Sequence, residues 1–248
     1  MKTAAIIQAR MGSTRLPGKV MRPLAGRPVL ARVIERVRAC SLVDEVVVAT
    51  TTLPRDDVIV EAAASLGVRT HRGSDDDVLS RVYQAARGAE VVVRVTADCP
   101  LFDPGLLEQM LIRFHEGRTA AAGIDCLSNT IVRTYPRGLD AEIVTFDALE
   151  RACEQAVDPY EREHVTPYIY RHPELFRIEA FTGERDLSHL RWTLDTEEDY
   201  RFLTEVHAAL AASNAVFPMQ AVLDLLARRP DLVHTEERAA SGHSGAVT

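Results

Sequence analysis

Cysteine is scarce in this chain of 248 residues, and its four cysteines are too widely scattered to form a C-x-x-C pair. Such spacing argues against zinc sites and disulfides and is typical of reduced thiols in the cytoplasm. No apolar run approaches the ~20 residues that cross a bilayer, and Lys2 leads directly into an apolar segment. Positive charge is also in deficit, because the formal net charge is −7. We therefore predict a soluble, cytoplasmic protein that binds neither membranes nor nucleic acid.

Two common phosphate-binding motifs are absent as well. A P-loop needs four residues between its glycine and its Gly-Lys pair, whereas five residues separate Gly12 from Gly18 here. Val20 stands where that motif has Ser or Thr, and Pro17 removes a backbone donor. The G-x-G-x-x-G fingerprint of dinucleotide-binding folds does not occur either. Any phosphate site in this chain must therefore be built in another way.

The segment that follows the first apolar run offers such a site. It reads IIQARMGSTRLPGK from Ile6 to Lys19 and contains three cations, two hydroxyls and two glycines. A loop after the first strand of an α/β sheet lies at the edge where ligands bind, and its cations can neutralise a polyphosphate. An ordinary surface turn at Leu16-Pro17-Gly18 is the alternative. The residues predicted to bind a nucleoside triphosphate are Ala9, Arg10, Gly12, Ser13, Arg15 and Lys19.

Strand and helix patterns alternate through the first half of the chain. The strand-like runs there are Thr3–Ala9, Glu45–Thr51, Val68–His71 and Glu90–Thr96. This alternation predicts an α/β fold, a single doubly wound domain with a mainly parallel sheet covered by helices on both faces. Further strands are predicted at Ala141–Phe146, Leu175–Phe181 and Leu190–Leu194. We assign residues 1–233 to this domain and residues 234–248 to a disordered tail.

Two aspartates follow predicted strands. Asp98 comes after the apolar run Val91–Val95, and Asp195 comes after Leu190–Leu194. Since strand ends meet at the binding edge of such a sheet, both carboxylates are expected to face the triphosphate. Mg²⁺ takes a few protein oxygens together with phosphate oxygens and water, so we predict a magnesium site at this pair. The alternative, that Asp98 caps a helix, is weaker because nearby prolines place that cap at Asp103.

Three more segments carry polar side chains without a decisive pattern. Arg137-Gly138-Leu139-Asp140-Ala141-Glu142 can line a sugar pocket or merely begin an edge strand. Glu161–Arg171 mixes charge, aromatics and a histidine, which suits an anionic sugar or a dimer surface. The acids around residues 73–78 suit a helix N-terminus, although Asp77 or Arg81 can reach a base or ribose.

With these residues in place, the chain resembles the cytidylyltransferase family that includes CMP-KDO synthetase, and most of all its spore coat polysaccharide biosynthesis protein F branch. The likeness runs from Ile6 to about Leu210. It is carried by Gln8-Ala9-Arg10, Ser13-x-Arg15-Leu16-Pro17-Gly18-Lys19 and Leu194-Asp195-Thr196-x-Glu198-Asp199. It implies a nucleotide-diphospho-sugar transferase-like fold, CTP contacts from the first loop, and Mg²⁺ held by Asp98 and Asp195. The stretch Arg137–Glu142 belongs to the branch and not to the KDO enzymes, which implies a different sugar pocket.

The resemblance also implies a reaction, the transfer of CMP from CTP to a sugar hydroxyl with release of pyrophosphate, carried out by a homodimer. The sugar is expected to be acidic or to belong to a cell-surface polysaccharide. The implied catalytic residues are Lys19, Arg15 and Asp98, while Asp77 and Arg81 remain candidate nucleotide contacts. The residues expected at the sugar are Arg137, Asp140, Glu142, His164 and Tyr168. Two alternatives stay open: a glycosyltransferase that consumes a nucleotide sugar, and a non-catalytic nucleotide-binding assembly protein.

Overall fold

The computed structural model describes residues 1–119, 123–210 and 216–235, so the predicted tail from residue 236 onward lies outside the described residues. A seven-stranded sheet forms the centre of the described part. Its strands are β1 (Thr3–Gln8), β2 (Glu45–Thr51), β3 (Arg69–Gly73), β4 (Val91–Thr96), β5 (Cys126–Ser128), β6 (Glu142–Thr145) and β7 (Ile178–Ala180). They lie side by side in the order β3-β2-β1-β4-β6-β5-β7.

The sheet is mostly parallel. Strands β1 to β4 are parallel to one another, whereas β6 is antiparallel to both β4 and β5. The helices are α1 (Val29–Arg38), α2 (Asp57–Ser65), α3 (Val78–Ala85), α4 (Pro104–Thr119), α5 (Phe146–Gln155), α6 (Pro159–His164), α7 (Pro167–Arg171), α8 (Glu197–Leu210) and α9 (Met219–Arg228). This arrangement confirms the predicted α/β fold with a mainly parallel, mixed sheet.

Hydrophobic side chains of the central strands alternate between two cores, one on each face of the sheet. In β1, Ala5 and Ile7 belong to the core that includes α1, α4 and α8, while Ala4 and Ile6 belong to the core that includes α3 and α5. Both isoleucines are fully buried, and burial of each contributes roughly 1.5–3 kcal/mol. A strand that is apolar on both faces can lie only in the interior of a covered sheet, which explains why β1 is central.

One predicted strand is wrong. The run from Leu190 to Leu194 makes only isolated bridges, Arg137 with Arg191 and Leu190 with Thr235. Its backbone N–H groups are instead divided among three segments, because Arg191 donates to the carbonyl of His234, Trp192 to that of Arg137, and Leu194 to that of Asp98. The apolar pattern there reflects burial of the side chains and not membership of the sheet.

Smaller differences concern element boundaries. The predicted strand Leu175–Phe181 is shortened to β7, and β5 was not predicted. Pro167 is the first residue of α7, and α6 ends shortly before it at His164. Asp103 accepts a hydrogen bond from the backbone N of Leu106, so it caps α4 as expected. The four cysteines are free thiols, which agrees with the prediction from their spacing.

The C-terminal limit of the fold lies later than predicted. His234, which the sequence assigns to the tail, is only 3% exposed, and Thr235 forms a bridge with Leu190. Both residues therefore belong to the packed structure. Within the described ranges, no helix combines the length and the apolar character that crossing a membrane requires.

Gly138 is the position where the fold tolerates a side chain least. Its φ is +108°, and a Cβ there would lie 2.5 Å from the carbonyl carbon of Trp192. We expect Gly138→Ala to lower the free energy of unfolding by about 3 kcal/mol or more, since backbone strain and a backbone clash add. Urea denaturation measures this. Gly88→Ala is the matched control, because Gly88 also has a positive φ of +90° but no atom within 4 Å of the added Cβ. Equal losses in both variants would contradict the expected clash.

Candidate active site

The loop between β1 and the first helix is held in a compact shape by its own backbone. The N–H groups of Ser13 and Gly18 both donate to the carbonyl of Met11, at 2.9 and 3.0 Å. Gly18 adopts a left-handed conformation with φ +69°, and Lys19 begins a short 3-10 turn directly after it. The conformation of this loop therefore fixes where the Lys19 side chain starts.

A buried carboxylate anchors the same loop from below. Asp56 is fully buried, and its Oδ1 accepts a hydrogen bond of 2.7 Å from the backbone N of Met11. Its other oxygen accepts from the hydroxyl of Thr51 at the end of β2. Asp56 was not singled out from the sequence, because an acid just before a helix resembles an ordinary capping residue.

Lys19 joins two carboxylates that are far apart in the sequence. Its Nζ lies 2.5 Å from Asp98 Oδ2 and 2.7 Å from Asp195 Oδ1. Asp98 follows β4, whose last residue Thr96 pairs with Gln8 of β1, so the loops after these two strands lie at the same edge of the sheet. The structure thus brings together the three residues that the sequence assigns to triphosphate and metal.

The electrostatics of this cluster favour the charged forms of Lys19 and Asp98. Burial alone lowers the pKa of Lys19, but Asp98 and Asp195 outweigh it, so the net pKa is raised above its ordinary value. For Asp98, burial raises the pKa, and the ammonium of Lys19 more than reverses this effect. A partly buried ion triad of this kind is stable only while the opposite charges compensate one another.

Asp195 has further partners that fix its position. Its Oδ2 lies 2.9 Å from Nη2 of Arg191 and 3.1 Å from Nη2 of Arg15. The preceding residue, Leu194, donates its backbone N–H to the carbonyl of Asp98 at 2.8 Å. The two carboxylates are therefore linked through the main chain as well as through Lys19. The prediction that Asp195 follows a sheet strand is wrong, because the 190–194 segment is not part of the sheet.

A cavity of about 240 Å³ opens above this cluster. It is lined by Gln8, Ala9, Arg10, Gly12, Ser13, Thr14, Arg15, Lys19, Val20, Thr96, Ala97, Asp98 and Asp195. All six residues that the sequence assigns to the triphosphate are among them. The lining is mostly polar and carries three cations, which suits a polyanionic ligand.

The pair of carboxylates fits a divalent cation. Their oxygens converge on one point, and that point holds the positive charge of Lys19 Nζ. Mg²⁺ favours carboxylate oxygens and completes its octahedron with phosphate oxygens and water, so two protein ligands suffice beside a nucleotide. Within the described residues, no third acid, histidine or cysteine joins the pair. Asp98 and Asp195 would hold the ion, and Lys19 would then have to turn toward the phosphates.

The other predicted nucleotide contacts lie beside a second cavity of about 480 Å³. Asp77 lines this cavity, but its carboxylate also caps α3 and pairs with Arg162. Arg10 lies between the two cavities and pairs with Asp75 at 3.1 Å. Arg81 lines neither one: it is buried and donates to the carbonyl of Ser74. Direct contact of Arg81 with a nucleotide is therefore not what the structure shows, and Arg81 supports the loop instead.

A third cavity of about 470 Å³ contains part of the predicted sugar site. Asp140, Glu142 and His164 line it. Arg137 does not: its side chain is exposed, and its backbone bonds to the segment around Trp192. Tyr168 does not either, because it is buried in the core against Phe176 and donates its hydroxyl to Gln155. Side chains on a short helix such as α7 point in different directions, and the sequence alone does not show which of them are buried.

Two arginines in this third cavity were missed. Arg94 of β4 pairs with Glu142, and Arg133 donates to both oxygens of Asp140 at 2.5 and 3.0 Å. Arg94 carried a usable signal, since a charged residue inside the apolar run of a central strand needs a partner. Its guanidinium also donates to the side-chain oxygen of Gln8, which lines the first cavity. Gln8 therefore connects the first cavity, through Arg94, with the third.

Comparison with known proteins agrees with this geometry. The family model for cytidylyltransferases matches residues 4–225. This chain belongs to the cytidylyltransferase family. The spore coat polysaccharide biosynthesis protein SpsF of Bacillus subtilis is 33% identical over 242 residues, covering 94% of this chain and 97% of the relative. An uncharacterized protein of Methanocaldococcus jannaschii is 36% identical over 236 residues, covering 94% and 93%.

Solved structures show the same relationship for this cytidylyltransferase. A cytidylyltransferase from Leptospira borgpetersenii superposes with a TM-score of 0.88 at 36% identity, covering 94% of this chain and 97% of that one. CMP:2-keto-3-deoxy-manno-octonic acid synthetase, solved in complex with CTP, superposes with a TM-score of 0.63 at 19% identity, covering 84% and 99%. The second likeness supports the fold alone. The resemblance inferred from the sequence motifs is confirmed, and the chain is a nucleotidyltransferase.

Removing the ammonium of Lys19 tests the role of charge in the cluster. We expect Lys19→Met to lower the free energy of unfolding by about 2–4 kcal/mol, because two partly buried carboxylates lose their shared cation. Millimolar Mg²⁺ should restore much of this loss in the variant and change the wild type little, as measured by thermal unfolding. Arg15→Met is the control, since Arg15 contacts the same Asp195 from a largely exposed position. A Lys19→Met variant that Mg²⁺ does not stabilise would contradict the fit of the pair to a divalent cation.

Proposed function

We propose that this protein is a Mg²⁺-dependent enzyme that transfers CMP from CTP to a sugar hydroxyl and releases pyrophosphate. The observation that carries the proposal is the convergence of Lys19, Asp98 and Asp195 on one point beside a cation-rich loop. Membership of the cytidylyltransferase family supports CTP as the donor. The reaction would take place in the cytoplasm, where CTP is available and thiols stay reduced.

The reaction needs in-line attack of the acceptor oxygen on the α-phosphorus, with cleavage of the bond to the β-phosphate oxygen. Lys19 and Arg15, which line the first cavity, would neutralise the charge that develops on the leaving pyrophosphate. Ser13 and the adjacent backbone can orient the phosphates within the loop. Mg²⁺ held by Asp98 and Asp195 would supply further neutralisation of phosphate charge. Stabilisation of this kind is the main contribution that a protein makes to a phosphoryl-type transfer.

The sugar would bind in the third cavity, next to the triphosphate end. Asp140, Glu142 and His164 offer hydrogen-bonding groups, and Tyr160 and Tyr170 add aromatic surface. Similarity to a spore coat polysaccharide biosynthesis protein supports a sugar that belongs to a cell-surface polysaccharide, or an acidic sugar. The position of Gln8 between the cavities would set the distance between the acceptor hydroxyl and the α-phosphate.

A homodimer accounts for a patch of exposed apolar side chains around α6. Val157 is 90% exposed, and Tyr160 and Tyr170 are 46% and 37% exposed. All three line or border the second and third cavities, so a partner seated there would help to enclose the substrates. Burying a cluster of this kind is the usual reason for association between copies of a chain.

Pyrophosphate release tests the proposed reaction. CTP, UTP, GTP and ATP are each offered with Mg²⁺ and a panel of sugar acids, ketoses and sugar phosphates. We expect release with CTP and one class of sugar, and a fall of about 10²-fold or more in kcat for Asp98→Ala, the scale of a lost electrostatic stabiliser. Asp147→Ala, which removes an exposed acid on α5, is the control. Turnover that survives in Asp98→Ala would contradict the assigned metal pair, and hydrolysis of a nucleotide sugar without pyrophosphate would favour a glycosyltransferase.

Replacing the most exposed residue of the α6 patch tests the dimer. We expect Val157→Asp to shift the protein from dimer to monomer in light scattering coupled to size exclusion, because a charge would be buried in the interface. Val58→Asp is the matched control, since Val58 is also exposed but lies on α2. A wild type that is already monomeric, or a Val157→Asp variant that stays dimeric, would exclude this patch as the interface.

A further inference from the structure

A buried carboxylate stands directly behind the proposed metal ligand Asp195. Asp199 is fully buried at the start of α8, and its Oδ2 accepts the backbone N–H groups of Asp195 at 2.7 Å and Thr196 at 2.8 Å. The hydroxyl of Thr196 accepts from the N–H of Asp199 in return, at 3.1 Å. The backbone of Asp195 is therefore fixed by Asp199 and not by a sheet strand.

The side chain of Asp195 is fixed by the same group through an arginine. Arg191, which is 4% exposed, donates from Nε to Asp199 Oδ1 at 2.8 Å and from Nη2 to Asp195 Oδ2 at 2.9 Å. One guanidinium thus serves two carboxylates. How tightly Arg191 holds Asp195 therefore depends on whether Asp199 also accepts hydrogen bonds from other donors.

His234 makes such a hydrogen bond to Asp199. Its Nε2 lies 2.7 Å from Asp199 Oδ1, and the residue is only 3% exposed. The imidazole stacks on Phe202 of α8, with ring centroids 5.3 Å apart. The backbone carbonyl of His234 accepts the backbone N–H of Arg191 at 2.9 Å. His234 therefore contacts Asp199 and Arg191, two of the residues that hold Asp195. The family model ends at residue 225, so this contact lies beyond the matched region.

We propose that His234 is a positioning residue for the metal site, because it holds Asp199 and Arg191 in the arrangement that orients Asp195. This role rests on the proposed function. Outer groups that orient a metal ligand commonly contribute 10- to 100-fold in metal affinity or activity. The C-terminal segment at residues 233–235 would then be a structural requirement of catalysis, although it lies far from the triphosphate loop in sequence.

The test compares two substitutions that separate the aromatic ring of His234 from its N–H donor. His234→Phe keeps a ring that can stack on Phe202 but has no donor, whereas His234→Gln keeps an N–H donor without the ring. Binding of Mn²⁺ is measured by electron paramagnetic resonance with α,β-methylene-CTP, a CTP analogue that cannot be cleaved. We expect His234→Phe to weaken Mn²⁺ binding by about 10- to 100-fold and His234→Gln to remain close to the wild type. The Mg²⁺ concentration for half-maximal pyrophosphate release should rise by the same factor in His234→Phe.

His207→Phe is the matched control. His207 lies on α8, is buried and packs on a phenylalanine as His234 does, but it is eight residues away from Asp199 along the helix. It should lower the midpoint of thermal unfolding and leave Mn²⁺ binding unchanged. Unchanged Mn²⁺ binding in His234→Phe, or an equal loss in His207→Phe, would overturn the positioning role and leave the proposed function intact. A wild type with no metal-dependent nucleotide binding would overturn both. If His234→Phe does not fold, Asp199→Asn replaces it, since an amide has one acceptor oxygen for the same set of donors.

Discussion

One ammonium group shared by two carboxylates determines how this site is arranged. Lys19 comes from the loop after β1, Asp98 from the end of β4, and Asp195 from a segment nearly 100 residues further on, and each must be placed independently. Parallel pairing of β1 with β4 accounts for the first two, since it brings both loops to one edge of the sheet. The third depends on the bond from Leu194 to the carbonyl of Asp98, which attaches the 190–194 segment to that edge.

Each side of the cluster has a buried acid behind it. Asp56 holds the backbone of the Lys19 loop, and Asp199 holds the backbone of Asp195. For Asp199, burial raises the pKa, but hydrogen bonds from His234 and Arg191 outweigh it and hold the pKa well below its usual range. A fully buried carboxylate that stays ionised needs several donors, and a donor set of that size leaves its neighbours little freedom. The result is that charged groups at the site are oriented by buried charged groups that line none of the three cavities described above.

The sequence predicts the parts of the site that belong to regular elements. The loop from Arg10 to Lys19 and the position of Asp98 follow from an apolar strand that ends in polar residues, and this rule depends only on the parallel sheet. Asp199 and His234 follow from no such rule, because an acid in the first turn of a helix and a histidine near a polar tail have ordinary explanations. Their importance arises from contacts over 35 residues of separation. Tyr168 shows the same limit, since the direction of a side chain on a short helix is decided by packing against α5.

The two ends of the site would select a ligand in different ways. In the first cavity the three cations are paired with carboxylates, but a divalent cation held by Asp98 and Asp195 would release Lys19 and Arg15 to attract a polyphosphate. At the other end, Arg94 and Arg133 are each bonded to a carboxylate of the same cavity, so positive and negative charges are balanced pair by pair. A sugar hydroxyl that binds there must exchange existing hydrogen bonds for new ones, and each exchange contributes only about 0.5–1.5 kcal/mol. Under the proposed function, selection among sugars would therefore depend on several hydroxyls matching these pairs at once, whereas the phosphate end would attract the nucleotide whatever sugar is bound.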